Sequence, residues 1–195
     1  DMKEYHKRVL EAAAEGADFI KIMTTGILDF ATKGNVTSEP LSREEVFRMT
    51  AEAHEAGLSV MAHVNGAQAV IDAVEAGVDS IEHGNFQNEE SICCMAEHGT
   101  IWVPTIVTVS NLLEDGRYPA ETLLWIFETQ KKGLRLGMEK GVVLAAGSDA
   151  GAYGVLHGKG IRDEERVMQK ILGPDMEQEL EKRLASGEKK IRKKF

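Results

Sequence analysis

One pattern recurs along the chain and limits what it can fold into: a short apolar run, a polar residue near its end, a glycine, and a helix with one apolar stripe. The apolar runs fall at residues 18–23, 58–64, 78–82, 100–104 and 142–146. Between them lie helical patterns. Ser42 caps one, with Glu45 at the capping-box position and Val46, Met49, Ala53 and Ala56 as its stripe. Val70, Ile71 and Val74 mark the next, and further helices are predicted over 89–97 and 120–140, with another opening the chain over 5–15. Runs that alternate with helices indicate βαβ units, hence parallel strands with helices outside. The runs are apolar almost throughout, as strands covered on both faces should be. Pro104 marks a strand end, because it cannot donate to a ladder. The predicted class is α/β, and five units are too few for a closed eight-stranded barrel.

Composition excludes several functions. The chain has 195 residues, 43% hydrophobic and 28% charged, with a formal charge of −9. That balance gives no general attraction to nucleic acid or to an anionic membrane surface. The basic run at 189–194 reads as a solvated tail. No stretch approaches the roughly 20 apolar residues of a membrane span, and no signal-peptide pattern opens the chain. The two cysteines, Cys93 and Cys94, are adjacent, which suits neither a stapling disulfide nor a zinc knuckle. Reduced thiols in the cytoplasm are the expectation. The chain opens with Asp1 inside a helical pattern, which suggests a fragment or processed product.

In βα architectures the ligand site lies at the carboxyl ends of the strands. Those positions hold Lys21, His63, His83, Thr105 and Asp149. Lys21 shares a strand face with Phe19 and Met23, where an unpaired charge costs several kcal/mol if buried. It either snorkels out or serves a site. His63 and His83 stand 20 residues and one βα unit apart and point into one mouth. Neutral imidazole suits zinc and similar ions. Asp149, in Gly-Ser-Asp-Ala-Gly, is either a turn aspartate or a base for a metal-bound water. The glycines of the same loop, 147–151, could instead leave amides free for a phosphate. His157 and Asn65 are candidate substrate contacts; surface exposure and helix capping are their ordinary alternatives. His6, His54 and His98 fall in helices as surface residues, and Trp102 reads as core.

The segments Phe-Ile-Lys21-Ile-Met, His63-Val-Asn-Gly, Gly-Val-Asp-Ser-Ile-Glu-His83-Gly, Val-Pro-Thr105 and Ala-Gly-Ser-Asp149-Ala-Gly resemble, in order and spacing, the amidohydrolase superfamily. The resemblance covers residues 15–170 and is strongest to the imidazolonepropionase-related and Xaa-Pro or Xaa-Arg dipeptidase branch. It implies a partial TIM (β/α)8 barrel, strands four to eight with flanking helices, over residues 1–160, followed by a helical segment over 161–195. It implies one or two divalent metals, usually zinc, that activate water against an amide bond in a dipeptide-like or cyclic substrate. Lys21, carbamylated, would bridge the metals; His63 and His83 would be ligands; Asp149 would bind metal and shuttle the proton. Thr105, His157 and Asn65 would lie near the substrate.

The chain departs from the family in lacking a His-x-His pair and in its helical ending at 163–195. The barrel's first three strands are expected elsewhere, and without them the isolated chain would hold metal weakly or be inactive. Its open sheet edges are expected to pair, in a homo-oligomer or with the missing half-barrel. A phosphate-binding barrel and a non-catalytic half-barrel module are the competing functions.

Overall fold

The computed structural model describes residues 2–195. Five parallel strands form one sheet in chain order: β1 (Phe19–Met23), β2 (Ser59–Asn65), β3 (Ser80–Asn85), β4 (Ile101–Val103) and β5 (Val143–Leu144). The helices are α1 (Met2–Ala14), α2 (Arg43–Glu55), α3 (Ala67–Glu75), α4 (Glu89–His98), α5 (Val107–Ser110), α6 (Ala120–Lys140), α7 (Gly160–Leu172) and α8 (Glu177–Lys194). The alternation of apolar runs and amphipathic helices is therefore a sheet of consecutive βα units, the architecture of part of a (β/α)8 barrel. The capping box of α2 is formed: Glu45 N–H donates to Ser42 Oγ at 3.3 Å, and Ser42 N–H donates to Glu45 Oε2 at 2.9 Å.

The main core lies between the sheet and its helices. Ile22, Val60, Ala62, Val64, Ile81, Trp102 and Leu144 meet Val46, Ala53, Val70, Val74, Ile92, Met95, Leu134 and Met138 there. Trp102 is buried under α6, where Gly137 gives it room: a Cβ at that position would come within 2.9 Å of the indole. The helical ending shares this core through Val167, Met168, Ile171 and Leu180.

α8 treats the other face of the sheet. Its Ile191 packs on a cluster of Ile101, Val103 and Ala145. Gly187 brings the helix against the Leu144 carbonyl, where a Cβ would collide with the backbone. The helix end then crosses the strand beginnings: Lys194 pairs with Asp79, Ser59 Oγ donates to the Lys194 carbonyl at 2.8 Å, and Phe195 meets Phe19 edge-on at 5.4 Å. The basic run expected as a solvated tail is thus the last turns of a helix anchored at Ile191 and Lys194. Its other lysines are exposed.

Loops build a second core above the strand ends. Val109 and Leu112, around the short α5, join Leu123 and Ile126 of α6, with Leu28, Phe30, Phe86 and Tyr118 packed alongside. The sequence gives no helix for α5, since four residues hold barely one turn. The long loop 24–40 is tied down rather than loose. Leu41 N–H donates to Thr24 O at 2.7 Å, and Asp29 accepts from Ala31 N–H at 2.8 Å and Asn35 Nδ2 at 3.2 Å.

Candidate metal centre

A cavity of about 310 Å³ opens at the carboxyl ends of the strands. Lys21 from β1, His63 and Asn65 from β2, His83 and Asn85 from β3, and Asp149 from the loop after β5 all line it. Ile27, Leu28, Phe30, Leu112, Tyr118 and Tyr153 form its apolar and aromatic wall. The four residues expected at a cation thus reach one space from four separate βα units.

The approach of His83 depends on an irregularity. β2 and β3 pair Val64 with His83 but Asn65 with Asn85, so β3 carries an extra residue. His83 and Gly84 take left-handed backbone, with φ of 68° and 60°. A bulge of this kind re-aims a side chain. Strand alternation alone would set Glu82 and His83 on opposite faces. Gly84 is required both by its φ and by space, since a Cβ there would lie 2.9 Å from Trp102 Nε1. Trp102 Nε1 in turn donates to the His83 carbonyl at 2.9 Å and holds the bulge. Thr105 (φ 49°) and Asp149 (φ 53°) are also left-handed. Three of the four non-glycine residues in this costly region are site residues, and such strain concentrates where function requires it.

Electrostatics keep both imidazoles neutral. Burial, then the neighbouring His63 and the Lys21 ammonium, push His83 down to about 3. Burial lowers His63 as well, against the pull of its hydrogen bond to the Gly26 carbonyl, and Lys21 adds to the lowering. The two rings stand 4.6 Å apart, edge to face. Each has one nitrogen pinned: His63 Nε2 at 3.2 Å from Gly26 O, and His83 Nδ1 at 2.6 Å from Thr105 Oγ1. With Gly26 O and Thr105 Oγ1 accepting from these nitrogens, one lone pair per ring is left, which is how ligand histidines are prepared. The donor set therefore fits a divalent cation in type. Among the described residues, however, no three His, Cys, Asp or Glu side chains close into a ready cage.

The remaining expectations fall out unevenly. Lys21 is exposed at the uncovered face of β1, so the burial penalty that singled it out is not incurred. Thr105 is buried outside the cavity lining and touches His83, not the open space. Asn65 lines the cavity, but its amide is already committed to Gly26 O and Asn85. His157 is exposed and does not line the cavity; it stands over Gly151, whose Cβ would lie 3.7 Å from its Nε2. The phosphate alternative loses donors: Gly151 N–H and Ala152 N–H are spent on Val155 O and Asp149 O, and Gly147 is small because Val103 packs against it.

Sequence reasoning passed over Glu82 and Asn85. Glu82 is buried beneath the cavity, bonded by Ser80 Oγ at 2.6 Å. Its carboxyl is raised by burial, with Ser80 and Lys21 pulling the other way and Asp149 adding to the rise. A charged residue inside an apolar run was the available signal, the same one that flagged Lys21.

The amidohydrolase family model matches residues 2–172. An uncharacterized protein of Mycobacterium tuberculosis is 32% identical over 178 residues, which cover 88% of this chain and 46% of that protein. The ochratoxinase of Aspergillus niger is 26% identical over 158 residues, 78% of this chain and 33% of that enzyme. A Xaa-Pro dipeptidase crystallised with methionine in its active site superimposes with a TM-score of 0.77 at 31% identity, over 98% of this chain and 48% of that one. The chain spans about half the length, or less, of the relatives it matches. With a matching family model over most of its length and a parallel βα sheet that fits the solved members, the chain belongs to the amidohydrolase family.

Proposed function

We propose that this chain forms one side of a metal-dependent hydrolase centre that cleaves an amide bond in a dipeptide-like or cyclic substrate. The observation that carries the reading is the convergence of Lys21, His63, His83 and Asp149 on one cavity from four βα units. The relatives named as a Xaa-Pro dipeptidase and an ochratoxinase support a hydrolase acting on such bonds. Members of the family generally bind divalent metals. In this reading His63, His83, Asp149 and a carbamylated Lys21 hold one or two ions, zinc by donor type.

A divalent ion bound there supplies Lewis-acid chemistry, drawing electron density from an amide carbonyl and acidifying adjacent water. The protein's own groups do the rest. The neutral imidazoles present lone pairs without a competing proton. Lys21 as a carbamate carries negative charge where its ammonium would repel a cation. The Asp149 carboxylate, exposed at the cavity rim, takes a proton from the attacking water and returns it to the leaving amine. Leu28, Phe30, Leu112, Tyr118 and Tyr153 shield the reacting bond and hold an apolar substrate group. The free edges of β1 and β5 are proposed to pair with a second copy or a further barrel segment.

Metal analysis of the chain purified without chelator tests the reading. The expected result is divalent metal held weakly by the chain alone and stoichiometrically once a further barrel segment is supplied, lost in a His63→Ala/His83→Ala double variant and reduced in Lys21→Ala. Absence of stoichiometric metal after incubation with zinc and bicarbonate, even with the further barrel segment supplied, would remove the proposal.

A further inference from the structure

Behind His63 lies a row of buried amides. Gln130, in the middle of α6, donates from Nε2 to Asn85 Oδ1 at 2.9 Å. Asn85, at the end of β3, donates from Nδ2 to Asn65 Oδ1 at 2.8 Å, and its backbone N–H reaches the same oxygen at 3.2 Å. Asn65, at the end of β2, donates from Nδ2 to the Gly26 carbonyl at 3.2 Å. His63 Nε2 meets that same carbonyl at 3.2 Å. Gln130, Asn85, Asn65 and His63 are all more than nine-tenths buried.

The direction of this row is forced. A backbone carbonyl only accepts, so Asn65 must turn its NH₂ toward Gly26 and its oxygen toward Asn85. Asn85 must then donate to Asn65, and Gln130 must donate to Asn85. The same carbonyl, which also accepts from Thr25 Oγ1 at 3.0 Å, favours a proton on His63 Nε2, and that leaves the free lone pair on Nδ1. The 3.3 Å approach of Asn65 Nδ2 to His63 Nε2 is then two of the three donors, with the Thr25 hydroxyl, gathered on one acceptor. At the far end Gln130 Oε1 and both amide atoms of Gln87 are buried without a protein partner, around a void of about 10 Å³. That space suits a single water molecule.

We propose that Asn65, Asn85 and Gln130 are positioning residues for His63. Gly26 belongs to a loop, and a loop carbonyl left to itself samples several orientations. The amide row ties it to the 21-residue helix α6, whose Gln130 faces, at the far end, a space that suits one water. The fixed carbonyl holds His63 as its Nε2–H tautomer with Nδ1 presented as the ligand atom. Partners that orient a ligand histidine are worth a ten- to hundred-fold effect on metal affinity. This inference rests on the reading of His63 as a ligand.

The test separates the two. Long-range ¹H–¹⁵N spectra of the metal-free chain, recorded above the range in which imidazole titrates, report the His63 tautomer directly. The expected wild-type result is a single Nε2–H tautomer. Asn65→Leu and Gln130→Leu, both close in size to the native residues, should yield mixed tautomers, with the smaller change for Gln130→Leu. Zinc affinity should fall about ten- to hundred-fold in Asn65→Leu. An Nδ1–H or mixed tautomer in the wild type overturns the proposal, as does an unchanged His63 spectrum in both variants. A wild-type chain that binds no zinc, even with the further barrel segment supplied, but shows the tautomer response removes the hydrolase reading and sustains the amide row.

Discussion

At the scale of single residues, the least expected group is Glu164. It lies in the first turns of α7, fully buried, and accepts from Ile106 N–H at 3.0 Å and Val107 N–H at 2.7 Å. It thereby fixes the turn that follows Thr105, whose hydroxyl meets His83. Burial pushes its carboxyl up to about 7, although both backbone donors pull it down. The unfolded chain releases this proton near 4.5 and the folded chain near 7, so the folded state binds more protons between those values. Stability from this group is complete below the unfolded value and declines as pH rises through the folded one. The loss amounts to about 3 kcal/mol. Thermal unfolding of wild type and Glu164→Gln over that window checks it: the glutamine variant should lose less stability on going to higher pH. Parallel curves would refute the assignment. Nothing in the local sequence distinguishes Glu164 from Asp163, which is ion-paired to Lys159 and Arg166, or from the exposed Glu165; burial against α5 makes the difference.

At the scale of elements, the strands could be read from their apolar runs and most helices from side-chain period, because each such helix buries one defined face and glycine follows its end. β5 keeps two paired residues where the apolar run suggested five. The run is apolar because the main core takes Val142 and Leu144 and α8 covers Ala145. α8 itself shows tertiary context overruling propensity. On an exposed helix, replacing a central glycine with alanine gains about 1 kcal/mol. At Gly187 the added methyl meets the Leu144 carbonyl, a backbone group that has nowhere to go. Gly187→Ala is therefore expected to destabilise the chain by about 1–3 kcal/mol, the usual cost of overpacking. Chemical denaturation measures it, and a variant more stable than wild type would show that α8 does not seat on the sheet.

At the scale of the whole molecule, the cavity is where the separate units act together. If the site holds a cation, zinc at one hundred times its dissociation constant should stabilise the folded chain by about 2.7 kcal/mol. The His63→Ala/His83→Ala variant should not respond, and calorimetric melts with and without zinc distinguish the cases. An equal shift in both proteins would place the ion elsewhere.

The sequence by itself determined the parallel βα order and the strand ends at which Lys21, His63, His83 and Asp149 sit, because periodicity and chain order are local properties. Only the tertiary structure decided the rest: the bulge that turns His83 inward, the commitment of Asn65 to Asn85 and Gly26, the burial of Glu82 and Glu164, and the exposure of Lys21. Those outcomes depend on which distant segment fills the space beside each residue. Side-chain contacts between remote parts of a chain leave no period along it.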